Sequence, residues 1–255
     1  MIPTAVAAQS SQTVPPDDPI YLFVDKLVGA RLVDTILTGQ RTMSRREIGR
    51  IIAEARGRLS ADTGWIGSKL GEYSTQYPAV LARAPLVAAY GIDAIVSESP
   101  SRGIEPDANG AISVVVNPLL SNQLGRPLAS GVTTSGVAEV GVGAAPWLAV
   151  HARARVSRLD ERQGNTETTT VLEQGYARGL WKNAALLVGR DYLFLGQGNT
   201  AGLTASLSPR GVTQVRLSSD RPFVLPSLLR HVGPIQAIIA LGDLGPGQFF
   251  PHSRL

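Results

Sequence analysis

The amino-acid sequence predicts a mainly β fold with a small α-helical N-terminal segment. The β part is predicted as an antiparallel transmembrane β-barrel, of which this chain carries the first part. Three observations predict it. From Pro146 to Arg158 the chain alternates, with Leu148, Val150, Ala152, Ala154 and Val156 on one parity and His151, Arg153, Arg155 and Ser157 on the other. As a strand this has an apolar face opposite a cationic polar one. An ordinary solvated strand also alternates, but small apolar residues toward lipid and charges toward a wet lumen are what a membrane barrel uses. No apolar run reaches the length of a spanning helix, so a membrane-crossing chain of this kind has to cross with strands. The connections between β-like segments run short, long, short, long, as in barrels with tight turns at one rim and long loops at the other.

Composition narrows the function classes. The net charge of +4 is small and scattered, with no Lys/Arg block, so nucleic acid is not an expected partner. Arg far outnumbers Lys, which occurs only as Lys26, Lys69 and Lys182; Arg suits planar contacts to carboxylates and hydroxyl-rich ligands. With no cysteine, disulfides, thiol catalysis and Cys-based metal sites are excluded. The histidines, His151, His231 and His252, are isolated and lack metal-ligand spacing. No cofactor or metal is expected.

Residues 1–16 read as a flexible start or the remnant of a signal peptide, with Ala5-x-Ala7 resembling a cleavage region. Residues 17–80 read as a helical bundle. Asp18-Pro19 starts one helix, with Tyr21, Val24, Leu27 and Val28 at helical spacing and Gly29 at its end. Ser44-Arg-Arg-Glu47 is a capping box ahead of an Ile48, Ile51, Ile52, Ala55, Leu59 stripe, and a third helix runs from about Asp62 to Glu72. Residues 84–255 read as the barrel, truncated at its C-terminus. Ala88 to Ser97 is its first strand, Ser99 to Gly110 a loop, and Ile112 to Val116 β-branched. Thr134 to Val142 alternates around Glu139, and Gly143 to Pro146 turns into the strand described above. Leu159 to Glu167 reads as a longer polar loop, followed by a strand at Thr168 to Trp181, a two-residue turn at Lys182-Asn183 and a returning strand at Ala184 to Arg190. After Val212 to Ser218 the link Asp220 to Pro234 is longer than the rule allows, and Ile235 to Leu244 resumes as a strand.

The block Val188-Gly-Arg-Asp-Tyr-Leu-Phe-Leu-Gly-Gln-Gly198, with Val215-Arg-Leu-Ser218, Pro222-Phe-Val-Leu-Pro226, Leu229 to Pro234 and Asn117-Pro118…Gly125-Arg126, resembles the Wzi family of capsule assembly proteins. Tyr21 to Gly29, Gly39-Gln-Arg41 and Ser44-Arg45 are similar to that family's periplasmic segment, and Gln248 to Leu255 is similar to a point in the middle of its barrel. Leu195 and Gln197 depart from the pattern, which has aromatic and proline residues there. The resemblance implies an outer-membrane barrel of a Gram-negative bacterium, with the helices in the periplasm. It also implies a lectin-like, non-catalytic role in holding or organising capsular polysaccharide.

Capsular and other acidic surface polysaccharides, together with outer-membrane lipid, are thus the expected partners. Acidic sugars would be met by Arg through charge-assisted hydrogen bonds. Arg153, Arg155, Arg178 and Arg190 are the candidate contacts in lumen or loop, with His151 and Gln174 as neutral partners. The competing structural reading pairs these arginines with interior acids such as Glu139 and Glu173, and makes Arg190-Asp191 a salt bridge in a turn. Adjacent Asp160 and Glu161, flanked by Arg158 and Arg162, form a solvated charge cluster rather than an acid/base pair. Gly196-x-Gly198 lacks the strand-to-helix setting of a phosphate cradle, and no Gly-x-Ser-x-Gly nucleophile motif occurs. The alternative function is a general outer-membrane channel or polysaccharide export conduit.

Overall fold

A computed structural model describes residues 10–37, 39, 41–59, 64–78, 87–96, 101–107, 110–116, 126, 128–129, 131–161, 164–196 and 211–243. The Ala5-x-Ala7 start, Gly198, His252 and the 251–255 ending lie outside the described residues. Helix α1 (Ile20–Gly29) begins at the predicted signal, where Asp18 Oδ1 accepts from Ile20 N at 2.9 Å. Helix α2 (Arg45–Arg58) starts on Ser44, whose hydroxyl accepts from Glu47 N at 3.1 Å. The reciprocal half of the predicted capping box does not form. Glu47 turns to the Arg50 guanidinium at 2.8 Å, a charge-assisted partner stronger than a neutral amide. Helix α3 (Trp65–Gln76) is the predicted third helix. Ile48, Ile51 and Ile52 pack with Ile20, Phe23, Leu27 and Leu70 in one buried cluster, each fully buried side chain contributing roughly 1.5–3 kcal/mol.

The strands are β1 (Val87–Val96), β2 (Ser101–Asp107), β3 (Gly110–Val116), β4 (Gly131–Ala145), β5 (Leu148–Glu161), β6 (Thr166–Trp181), β7 (Ala184–Asp191), β8 (Val212–Ser219), β9 (Phe223–Val224), β10 (Pro234–Ile235) and β11 (Ile238–Asp243). Seven of them form one antiparallel sheet in the order β1-β4-β5-β6-β7-β8-β11. The sheet is a wall and not a closed barrel: among the described residues β1 pairs only with β4, and β11 only with β8.

Two predicted loops prove to be strand. Residues 101–107 and 110–116 pair as strands β2 and β3, from Ser101↔Val116 to Asp107↔Gly110. β5 and β6 extend into the polar stretch after Leu159, leaving only residues 162–165 between them. Polarity misleads there because the strands run past the apolar band. Asp160 is held at their tips by Arg158 at 3.0 Å and Thr166 at 2.8 Å. The Lys182-Asn183 turn is as predicted, with Lys182 at φ 56°.

Side-chain parity sorts the sheet. Val132, Val140, Val150, Val156, Leu186, Val188, Val215, Leu217, Ile239 and Leu241 point outward and are exposed. The opposite, inner parity carries Ser135, His151, Arg155, Tyr176, Arg178, Gln214 and Arg216, all buried. Charge inside and aliphatic surface outside invert the ordinary soluble pattern, which is what alternation in β5 predicts. Trp147 and Trp181 stand exposed at the tight turns after β4 and β6.

Residues 10–14 are a correction to the flexible start: all are buried, as a strap between the helices and the inner face. Ser10 N donates to Pro146 O at 2.7 Å and Val14 N to Met43 O at 2.8 Å. Tyr176 Oη accepts from Thr13 N at 2.8 Å, and Tyr21 Oη accepts from Thr42 N and Met43 N, both at 2.9 Å, while donating to Val14 O. A polar, Pro-flanked segment looks mobile in sequence; here its backbone groups find partners on two other elements. The strap fixes the helices to the end of the sheet that carries the tight turns.

Candidate functional site

On the inner face of β5, Arg153 and Arg155 stand two residues apart on one parity, and Glu173 of β6 lies between them. Arg153 Nε is 3.0 Å from Glu173 Oε2, and Arg155 Nε 2.5 Å from Glu173 Oε1. Arg155 also reaches Asp93 of β1 at 2.8 Å, and Arg153 faces Glu139 of β4 at 3.8 Å. From the segment before β4, Arg126 bonds Asp17 at 2.8 Å and sits 3.8 Å from Glu173. The cluster spans four sheet elements and the entry to α1.

A register shift makes this arrangement possible. Strict alternation puts Glu173 and Gln174 on opposite faces, yet both are buried on the inner face. Opposite Arg153 and Ala154 the partners jump from Gln174 to Leu172, so Glu173 is the extra residue of a bulge and turns inward. Gln174 then donates to Asp191 at 2.8 Å. Two glycines clear room nearby. A Cβ on Gly141 would lie 2.9 Å from His151 Nδ1, and one on Gly189, at φ 131°, would lie 2.3 Å from Gly175 O. His151 is thereby stacked on Tyr176 at 5.1 Å between ring centres.

The sequence candidates separate into three places. His151, Arg153, Arg155 and Gln174 share one inner surface. Arg178, also inward, sits at the turn end, paired with Asp220 and donating to Ser11 O at 3.2 Å. There burial pushes the Asp220 carboxyl up, but the Arg178 charge, the Ser44 hydroxyl and Arg46 outweigh it and hold it below the usual range. Arg190 shares the outward parity of Leu186 and Val188. Asp191, one residue on, points inward to Arg216 at 2.6 Å. The predicted Arg190–Asp191 turn salt bridge is therefore absent, because consecutive strand residues face opposite sides.

Accessibility narrows the set again. His151, Arg155 and Gln174 are at most 2% exposed and committed to the wall. Asp17, Asp93, Arg126, Glu139, Arg153 and Arg155 line a cleft of about 380 Å³ beside β1. Asp93, Arg126 and Asp17 escaped sequence reasoning because their partners are distant in the chain. Only Gly125-Arg126, as part of the family-like pattern, pointed toward one of them. Past β7, Tyr192 and Phe194 turn in rather than away: Arg41 stacks 5.4 Å from the Phe194 ring and Gly196 N donates to Gly39 O at 2.9 Å. The interior is thus occupied by strap, returning segment and ion pairs. Among the described residues no cluster of His, Asp and Glu forms a metal-binding group.

An antiparallel wall with an apolar exterior, a charge-paired inner face and helices tied across one end is the wall of a barrel-type fold. The chain belongs to the capsule assembly protein Wzi family, whose model matches residues 104–254, more than half of its length. It is similar in fold to the solved structure of Wzi from Escherichia coli, an outer-membrane protein involved in group 1 capsule assembly and a carbohydrate-binding β-barrel. The TM-score is 0.60 at 15% sequence identity, covering 96% of this chain and 48% of that one. This chain therefore spans about half the length of that structure. No curated protein matches it.

Proposed function

We propose that this protein binds and organises acidic capsular polysaccharide at the surface of a Gram-negative outer membrane, in a lectin-like and non-catalytic way. The sheet would lie in the membrane and α1 to α3 in the periplasm. Family membership supports the capsule role, and the apolar exterior with Trp147 and Trp181 at one rim supports the membrane setting. The observation that carries the reading is the cleft beside β1. It joins guanidinium donors, Arg126 and Arg153, to carboxylate acceptors, Asp93 and Glu139, within about 380 Å³. That mixture matches a hydroxyl-rich ligand carrying uronate groups: carboxylates accept from hydroxyls, and arginines donate to carboxylates.

Arg126→Ala combined with Arg153→Ala is the test. Retention of acidic polysaccharide on the cell surface, and by purified protein on immobilised polysaccharide, should fall by about tenfold or more, since each charge-assisted contact is worth at least ~1.4 kcal/mol. Unchanged retention by a variant that keeps its β circular dichroism would overturn the site.

A further inference from the structure

We propose that the outer wall at the turn end carries a cleft for one anionic glycerophospholipid, with an acyl chain in an apolar slot and the phosphate at its cationic lip. The inference rests on the outer-membrane reading above. It starts from the link between β8 and β11, which alternating loop lengths predict as tight. Instead the link folds into β9, a 3₁₀ turn at Ser227–Val232, and β10. Phe223 and Ala237 of this link stand beside outward-facing Leu217 and Ile239, and with Ala184 they enclose a cleft of about 490 Å³. Its lining is almost wholly apolar, and Ile239 and Leu217 are 68% and 48% exposed.

A second cleft of about 480 Å³ shares Asn183 and Phe223 with it and is also lined by Arg50 and Arg221. The charges there are unequal. Arg50 is bound to Glu47 and Glu54, each at 2.8 Å, and Asp220 is bound to Arg178. Arg221 is fixed through its backbone, accepting from Asn183 Nδ2 at 3.0 Å and donating to Asn183 Oδ1 at 3.1 Å. Its exposed guanidinium makes no hydrogen bond or close ion pair among the described residues, and its charge is felt at longer range by the Glu47 carboxylate, which Arg50 already binds. Lys182, also exposed, lies 4.9 Å from the Trp181 ring centre at the same rim. An apolar slot whose neighbouring cleft carries Arg221, with Lys182 and an interfacial tryptophan at the same rim, has the polarity of a lipid and suits an anionic headgroup over a zwitterionic one.

The test takes the full-length protein in mild detergent, stripped of lipid, and titrates it with phosphatidylglycerol or phosphatidylcholine under native mass spectrometry. Wild type should retain one phosphatidylglycerol at a concentration about tenfold below that for phosphatidylcholine, the factor that one charge-assisted contact carries. Lys182→Glu with Arg221→Glu, both at exposed sites, should abolish the preference, and Ala237→Trp should fill the slot and remove uptake of both lipids. Equal retention of the two lipids by wild type, or an unchanged preference in the charge variant, would overturn the proposal. Insertion of wild type into bilayers is measured in parallel. Failure to insert sinks the membrane reading itself, whereas insertion without selective retention sinks only the lipid site.

Discussion

Glu173 is the residue on which the inner face depends most. Sequence alternation admits either Glu173 or Gln174 to the interior; the bulge in β6 admits both, and Glu173 then bridges Arg153 and Arg155. A buried carboxylate between two guanidiniums cannot be removed without leaving uncompensated charge. Glu173→Ala is expected to cost roughly 3–5 kcal/mol, while Glu173→Ala with Arg155→Leu should recover part of that loss. Denaturant unfolding in detergent, followed by β circular dichroism, reads both variants. Additive losses in the double variant would show that the pair is not coupled. The competing reading of the arginines, as partners of Glu139 and Glu173, thus describes Arg155 well. For Arg153 it is incomplete: both side chains border the cleft, but Arg153 keeps 13% exposure there against 3% for Arg155.

At the scale of elements, the strap and α2 meet the sheet at one charged junction. Ser10 Oγ donates to Arg178 O at 2.8 Å, and the Arg178 guanidinium binds both Ser11 O and Asp220. The Asp220 carboxyl is depressed in the folded state, so its contribution is fully present above the unfolded carboxylate value near ~3.9 and is lost as pH falls through the lower folded one. Glu47 works the other way. Burial raises its carboxyl against the pull of Arg50, so acid relieves a cost there. Acidification below about pH 4 is therefore expected to loosen the helices from the sheet through Asp220, with proteolysis of residues 10–58 as the readout. Asp220→Asn should be looser at neutral pH and show a flatter acid response. A profile identical to wild type would mean that this ion pair does not hold the junction.

For the whole molecule, polysaccharide anchoring and conduction make different demands on the inner face of the wall. The strap at residues 10–14, the inward return of Tyr192 and Phe194, and the helices at the rim all cover the inner face of the wall, the side a conduit would keep clear. Planar-bilayer recording of the wild-type protein should accordingly show no steady conductance, and removal of residues 10–14 should raise it. A steady ohmic current from wild type would favour the export-conduit alternative.

The sequence by itself determined the parity of β5, the Lys182-Asn183 turn, the Ser44 cap and the helical stripes. All of these depend on neighbours within a few residues, where periodicity and turn chemistry act. Arg153 and Arg155 could be assigned to the inner face on that basis alone. Tertiary structure decided which of the candidates meet. It brought Asp17, Asp93 and Arg126 to Arg153 and Glu173, sent Arg178 to Asp220, and left Arg190 on the outer parity. It also turned the apparently loose start into a buried strap and the polar tips of β5 and β6 into strand. The physical reason is common to these cases. Burial and ion pairing between segments 42 to 168 residues apart follow from sheet register and from one bulge, and neither is written in local composition.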